Sequence, residues 1–222
     1  HMTMGEGGAI VTNNPLIYKS IRRFRDWGRD CWCPTGKDDT CKNRFKWKLG
    51  ELPYGYDHKY IYSEVGYNLK LTDFQAAIGL AQLKKLPKFI KKRQENYKTL
   101  YHFFKKYEEY FILMKDDKKV DLSPFGFPLV VKENAPFTRN ELTEYLEKNK
   151  IGTRNVFAGN LLRHPGYIKI RNDFKIIGEM KNSDVVMNNA FWLGVWPGID
   201  IRRINYIKTI VKKFIETNIC KK

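Results

Sequence analysis

No run of 18 apolar residues occurs in the 222-residue sequence, which excludes a helix threaded through a bilayer. The opening residues, His1-Met2-Thr3-Met4-Gly5, carry no basic stretch followed by an apolar core. No secretory signal is therefore expected, and a cytoplasmic location is. Internal repeats are absent. Acidic residues are scarce, 24 against 41 lysines and arginines, so the formal charge is +17. Such an excess suits a nucleic acid, an anionic substrate or an acidic protein partner, and equally suits lysines on solvated helix faces. The aromatic residues do not interleave with arginine as they do in single-strand binders, so no nucleic-acid partner is expected. Cysteine is rare too, with four in all, yet Cys31, Cys33 and Cys41 fall within eleven residues. Without a secretory signal, such clustering points to metal rather than to disulfides.

What is present reads as a globular α/β chain: 42% of residues are hydrophobic and 14% aromatic. Gly8 to Thr12 is short, apolar and β-branched, the pattern of a buried strand. Asn13-Asn14-Pro15 marks a turn and helix start, and the helix should run from Leu16 to about Trp27 and stop at Gly28. Residues 29–62 hold much glycine, proline, aspartate and aromatic residue with little periodicity, a length that signals function rather than slack. Leu71-Thr72-Asp73 opens a second helical pattern, which Pro87 should break or kink before it resumes from Ile90 to Tyr107. Strands are expected at 125–131, 152–157 and 191–195, and helices at 139–149 and 201–219. Two domains follow: residues 1–109, and a small α/β domain over 110–222.

Thr3-Met4-Gly5-Glu6-Gly7-Gly8 is a weak signal alone, since most glycine-rich turns only permit unusual backbone angles. It gains weight from Gly66-Tyr67-Asn68-Leu69-Lys70-Leu71-Thr72-Asp73-Phe74-Gln75-Ala76-Ala77-Ile78-Gly79. Together the two stretches resemble the pyridoxal-phosphate sugar aminotransferases that act on nucleotide-linked sugars. The resemblance implies a fold-type-I transferase, with this chain as the C-terminal half: the end of the large cofactor domain plus the small domain. In that family a cofactor lysine stands five residues before the first glycine, which here falls just before His1. One branch carries histidine there and removes the C3 hydroxyl of a 4-keto sugar, and its motif is similar to His1-Met2-Thr3-Met4. His1 is thus a candidate catalytic residue, although the spacing puts the base at the position preceding it.

Cys31-Trp32-Cys33 has one residue between its thiols, and Cys33 to Cys41 has seven. This resembles the [2Fe–2S] segment of the iron–sulphur 3-dehydrases that act on CDP-4-keto-6-deoxyglucose. Thiolates suit zinc as well, but structural zinc pairs usually leave two to four residues between cysteines. The resemblance implies dehydration and reductive deoxygenation at C3 through an imine of pyridoxamine phosphate. The cluster would pass single electrons from an NADH-dependent flavin/iron–sulphur reductase. It also implies a fourth cluster ligand upstream, and a homodimer in which Asn68 reaches the neighbouring subunit's cofactor phosphate. Arg154 and Asn160 would hold the nucleotide-linked 4-keto sugar, with His58, Lys59 and Tyr60 as further substrate-binding candidates. Two other readings are kept: a sugar aminotransferase, and a basic, metal-stapled binding module without catalysis.

Overall fold

The computed structural model describes residues 2–34, 36–114 and 119–220. They group into two units, Met2–Lys84 and Lys85–Lys222. In the first unit, the Asn14 side chain accepts from Leu16 N and Ile17 N, and Pro15 sits in the first turn, where no partner for its missing N–H is needed. Helix α1 (Pro15–Arg25) follows. Trp27 and Gly28 then take positive φ, 61° and 86°, which ends the helix two residues earlier than its sequence pattern suggests. Helix α2 (Asp73–Leu83) opens with a capping box between Thr72 and Gln75. Residues 8–12 form no strand, and Ile10 and Val11 are 73% and 91% exposed. Their composition favours a ladder, but among the described residues no strand pairs with them, and an isolated strand has no hydrogen-bond partner to hold it.

The second unit is built on a four-stranded antiparallel sheet. Helix α3 (Leu86–Phe104) begins where α2's pattern meets Pro87, which occupies its first turn instead of kinking a longer helix. Strands β1 (Phe111–Leu113) and β2 (Gly126–Val131), helix α4 (Arg139–Lys148) and strand β3 (Thr153–Asn155) come next. Short helix α5 (Pro165–Lys169), helix α6 (Lys181–Asn189), strand β4 (Ala190–Gly194) and helix α7 (Ile201–Ile219) complete the unit. The sheet order is β1-β2-β4-β3. In β2 the alternation buries Phe127, Leu129 and Val131. Pro128 is tolerated in this inner strand because β1 stops opposite Leu129, so at Pro128 only β4 is paired. Leu100 and Phe104 of α3, Leu142 and Leu146 of α4, and Ile204, Val211 and Ile215 of α7 close over the sheet. The three-and-four spacing along α7 puts its apolar side chains on one stripe. Through Leu100 and Phe104, α3 shares this core, whereas the sequence pattern groups it with the earlier residues.

Candidate functional site

Residues 29–62 form a loop whose two ends are zipped together. Asp30 N donates to Ile61 O at 2.9 Å, Ser63 N to Gly28 O at 2.9 Å and Trp27 N to Tyr67 O at 2.8 Å. Arg29 and Tyr62 face each other as an antiparallel bridge, as do Asp26 and Asn68. The approach is close enough to demand glycine: a Cβ on Gly28 would lie 1.8 Å from Glu64 O, and one on Gly66 2.3 Å from Gly28 N. Inside the loop, Arg44 makes a paired contact with Asp57, Nε to Oδ1 at 2.9 Å and Nη2 to Oδ2 at 2.5 Å. An aromatic stack fills the centre, with His58 against Trp47 and edge-on to Trp32, each at 5.1 Å between centroids.

His58 is 1% exposed, and its Nε2 lies 2.8 Å from Asp30 Oδ2, while Arg23 pairs with the other Asp30 oxygen. A carboxylate held by arginine accepts, so Nε2 carries the proton and Nδ1 is the buried nitrogen without a partner. Burial holds the ring below the ordinary imidazole value, and the charge of Lys19 adds to the effect. Above this network Cys31, Cys33 and Cys41 line one pocket with Asp38, Asp39, Arg44, His58 and Lys59. The Cys33 thiol is lowered to about 7, first by a hydrogen bond with the Thr40 side chain. Burial pushes the Cys31 thiol up. Among the described residues no three histidine, cysteine or carboxylate side chains stand ready-arranged around a metal ion. As a donor set, three half-buried thiols on one irregular loop nevertheless fit an iron–sulphur group.

The other predicted positions fall in both units. Lys59 pairs with Asp38, and Tyr60 is 52% exposed. Exposed Asn68 accepts at Oδ1 from Lys70 Nζ at 2.5 Å. The two glycine-rich stretches do meet: Gln75 Nε2 donates to Glu6 O at 2.9 Å, and Met4 packs where a Gly79 side chain would stand. His1 lies outside the described residues. In the second unit, exposed Arg154 donates to its neighbour Thr153 O at 2.7 Å. Asn160 is buried, donating to Asp184 Oδ1 at 2.7 Å and accepting from Leu162 N at 3.1 Å. Asn160 thus shapes the loop beside a cleft of about 240 Å3 lined by Asn155, Phe157, Arg163 and His164. Sequence reasoning missed Asp30, Trp47 and Thr40. Only Asp30 left a signal, as the residue directly before Cys31.

The family model described as the DegT/DnrJ/EryC1/StrS aminotransferase family matches residues 1–212. The chain is 45% identical to the lipopolysaccharide biosynthesis protein RfbH of Salmonella typhimurium, over 98% of this chain and 49% of that protein. It is 43% identical to the dTDP-4-dehydro-2,6-dideoxy-D-glucose 3-dehydratase of Saccharopolyspora spinosa, over 97% of this chain and 46% of that protein. The chain thus spans about half the length of these curated relatives. Among solved structures, an E. coli GDP-4-keto-6-deoxy-D-mannose-3-dehydratase with bound hydrated PLP superimposes with a TM-score of 0.72 at 24% identity. That match covers 90% of this chain and 49% of the other, and shows that the two share a fold over that span.

Proposed function

Since the chain belongs to the DegT/DnrJ/EryC1/StrS aminotransferase family, we propose that it is the C-terminal half of a 3-dehydrase acting on a nucleotide-linked 4-keto-6-deoxy sugar. CDP-4-keto-6-deoxyglucose is the substrate expected, and the deoxysugar serves lipopolysaccharide O-antigen. In this reading the chain supplies the end of the cofactor domain and the whole of the small domain, in a cytoplasmic homodimer, with α3 packed on the small domain's core. The observation that carries the reading is the gathering of Cys31, Cys33 and Cys41 in one pocket. A transaminase has no use for an electron carrier, whereas replacing a C3 hydroxyl by hydrogen consumes two electrons.

When bound, pyridoxamine phosphate supplies the electron sink that lets the C3 hydroxyl leave, and a [2Fe–2S] cluster supplies electrons singly. The chain's own residues do the rest. Cys31, Cys33 and Cys41 give three of the four soft ligands, and hydrogen bonding with Thr40 lowers the Cys33 thiol toward the thiolate that a metal takes. Asn68 would offer its Nδ2 donors to the phosphate of the partner subunit's cofactor, its Oδ1 being taken by Lys70. A histidine in place of the family's cofactor lysine would move the proton near neutral pH without capturing the cofactor covalently, and His1 is the candidate that this sequence carries. Arg154 offers a fork for the nucleotide's phosphates, and Asn160 holds the loop that follows it. Lys59 and Tyr60 serve as substrate contacts, while buried His58 fixes the loop through Asp30, Trp32 and Trp47.

The test is isotopic. The whole enzyme, loaded with pyridoxamine phosphate and given the 4-keto sugar in 18O-labelled water, should exchange label into the C3 hydroxyl without forming an amino sugar from glutamate. An amino sugar with no exchange at C3 would identify a transaminase instead. Neither product would leave the binding-module reading.

A further inference from the structure

Beside the cysteine pocket lies a second, larger cleft of about 350 Å3, lined by Tyr18, Lys19, Arg22, Arg23, Arg29, Asp30, Cys31 and Trp32. Its charge is lopsided. Asp30 is the one carboxylate in that lining, and it is already paired with Arg23. Among the described residues Lys19, Arg22 and Arg29 have no carboxylate within ion-pair distance. Lys19 lies over the Trp32 ring at 5.5 Å, Arg22 donates to Tyr18 Oη at 3.3 Å, and Arg29 lies over the Trp27 ring at 4.7 Å. The Nε donors of Arg23 and Arg29 are buried with no acceptor. Three cations without a carboxylate partner around one open cleft make it a surface that attracts an anionic partner.

We infer that this cleft is the docking point for an acidic one-electron carrier protein; the inference rests on the electron-accepting role proposed above for the three cysteines. Two observations favour a protein over a free phosphate. The rim is aromatic and exposed, with Tyr18, Trp27, Trp32, Tyr60 and Tyr62 between 39% and 56% exposed around the arginines. Tyrosine, tryptophan and arginine are the side chains that anchor protein interfaces. Cys31 lines both the cleft and the cysteine pocket, so a carrier seated here meets a cluster ligand directly. Each encounter moves one electron: the carrier is oxidised by one, the cluster is reduced by one, and no bond is made or broken. Two encounters deliver the pair that the C3 reduction needs.

The holoenzyme and a Lys19→Glu/Arg22→Glu variant, both positions on α1 in the lining of the cleft and neither a thiol ligand, are mixed with reduced plant-type [2Fe–2S] ferredoxin, an acidic carrier, in a stopped-flow instrument. The wild-type rate should fall steeply with added salt, and the variant should be slower by about tenfold or more at low salt. Arg29→Gln should fall between them. Photoreduced 5-deazariboflavin, an uncharged donor, should reduce wild type and variants alike, and matching visible spectra show that all have folded around the cluster. Equal ferredoxin rates in wild type and the double variant overturn the inference. So does a wild type that the deazaflavin reduces but ferredoxin does not, or a rate indifferent to salt. A wild type without cluster absorption before any donor is added sinks the underlying electron-transfer reading instead, and the docking site with it.

Discussion

Cys33 separates the two halves of the proposed reaction. Its thiol is brought down to about 7 chiefly by Thr40, whereas burial pushes the Cys31 thiol up. Cys33→Ser replaces it with a far poorer iron ligand. The variant should lose visible absorption and give no 3-deoxy product with NADH and reductase, yet still exchange oxygen at C3, because elimination needs no electron donor. Loss of exchange in a folded, cofactor-loaded variant would move the loop's role to dehydration. Asn68→Ala makes a different cut. Asn68 is exposed and its side chain supports no core, so the change should weaken retention of pyridoxamine phosphate in a dialysis assay while leaving the melting temperature unchanged. At this scale the cysteines were legible because three soft donors within eleven residues are rare. Asp30 and Trp47 were not, because the contacts that make them matter run to His58, 28 residues from Asp30, and spacing along a chain says nothing of such pairings.

Elements were read best where one period dominated. Helix α7 carries its stripe from end to end and has the predicted limits, and β2 alternates as a half-buried strand should. Helix α6 went unpredicted because its apolar residues cover too little of one face and none is buried. Residues 8–12 show the converse: strand-like composition says what a segment suits, while pairing depends on a neighbour. The loop over 29–62 depends on the crossing at Gly28 and Gly66, which leaves no room for a methyl group. Gly28→Ala should therefore destabilise its unit by about 2 kcal/mol or more, adding strain at positive φ to overlap with Glu64 O. Guanidinium denaturation will show it, and cluster content should fall alongside. In the second unit, the Asp184 carboxyl is held below its usual range, first by Arg163 and then by Asn160. Its folded value lies under its unfolded one, so its stabilisation is complete above about pH 4 and fades as pH falls through the folded value. Asp184→Asn should lower the melting temperature at pH 7 and make progressively less difference toward pH 3.

Over the whole molecule, the exposed apolar side chains of the first unit call for cover. Ile10, Val11, Leu16, Phe74 and Leu80 are between 64% and 91% exposed, far more than scattered surface residues explain. The rest of the enzyme and its dimer partner provide that cover in the proposed assembly. Sedimentation of the intact enzyme should accordingly give a dimer, and a monomer still holding pyridoxamine phosphate would be incompatible with Asn68 acting across subunits. The central claim is that three clustered thiols equip a transaminase-like fold with an electron carrier. Iron and acid-labile sulphide analysis of the anaerobically purified enzyme tests that most directly. The account predicts iron and sulphide in equal amounts, two of each per subunit, with visible bands that bleach on reduction. Zinc in their place, or a metal-free protein that still makes the 3-deoxy sugar, would contradict it.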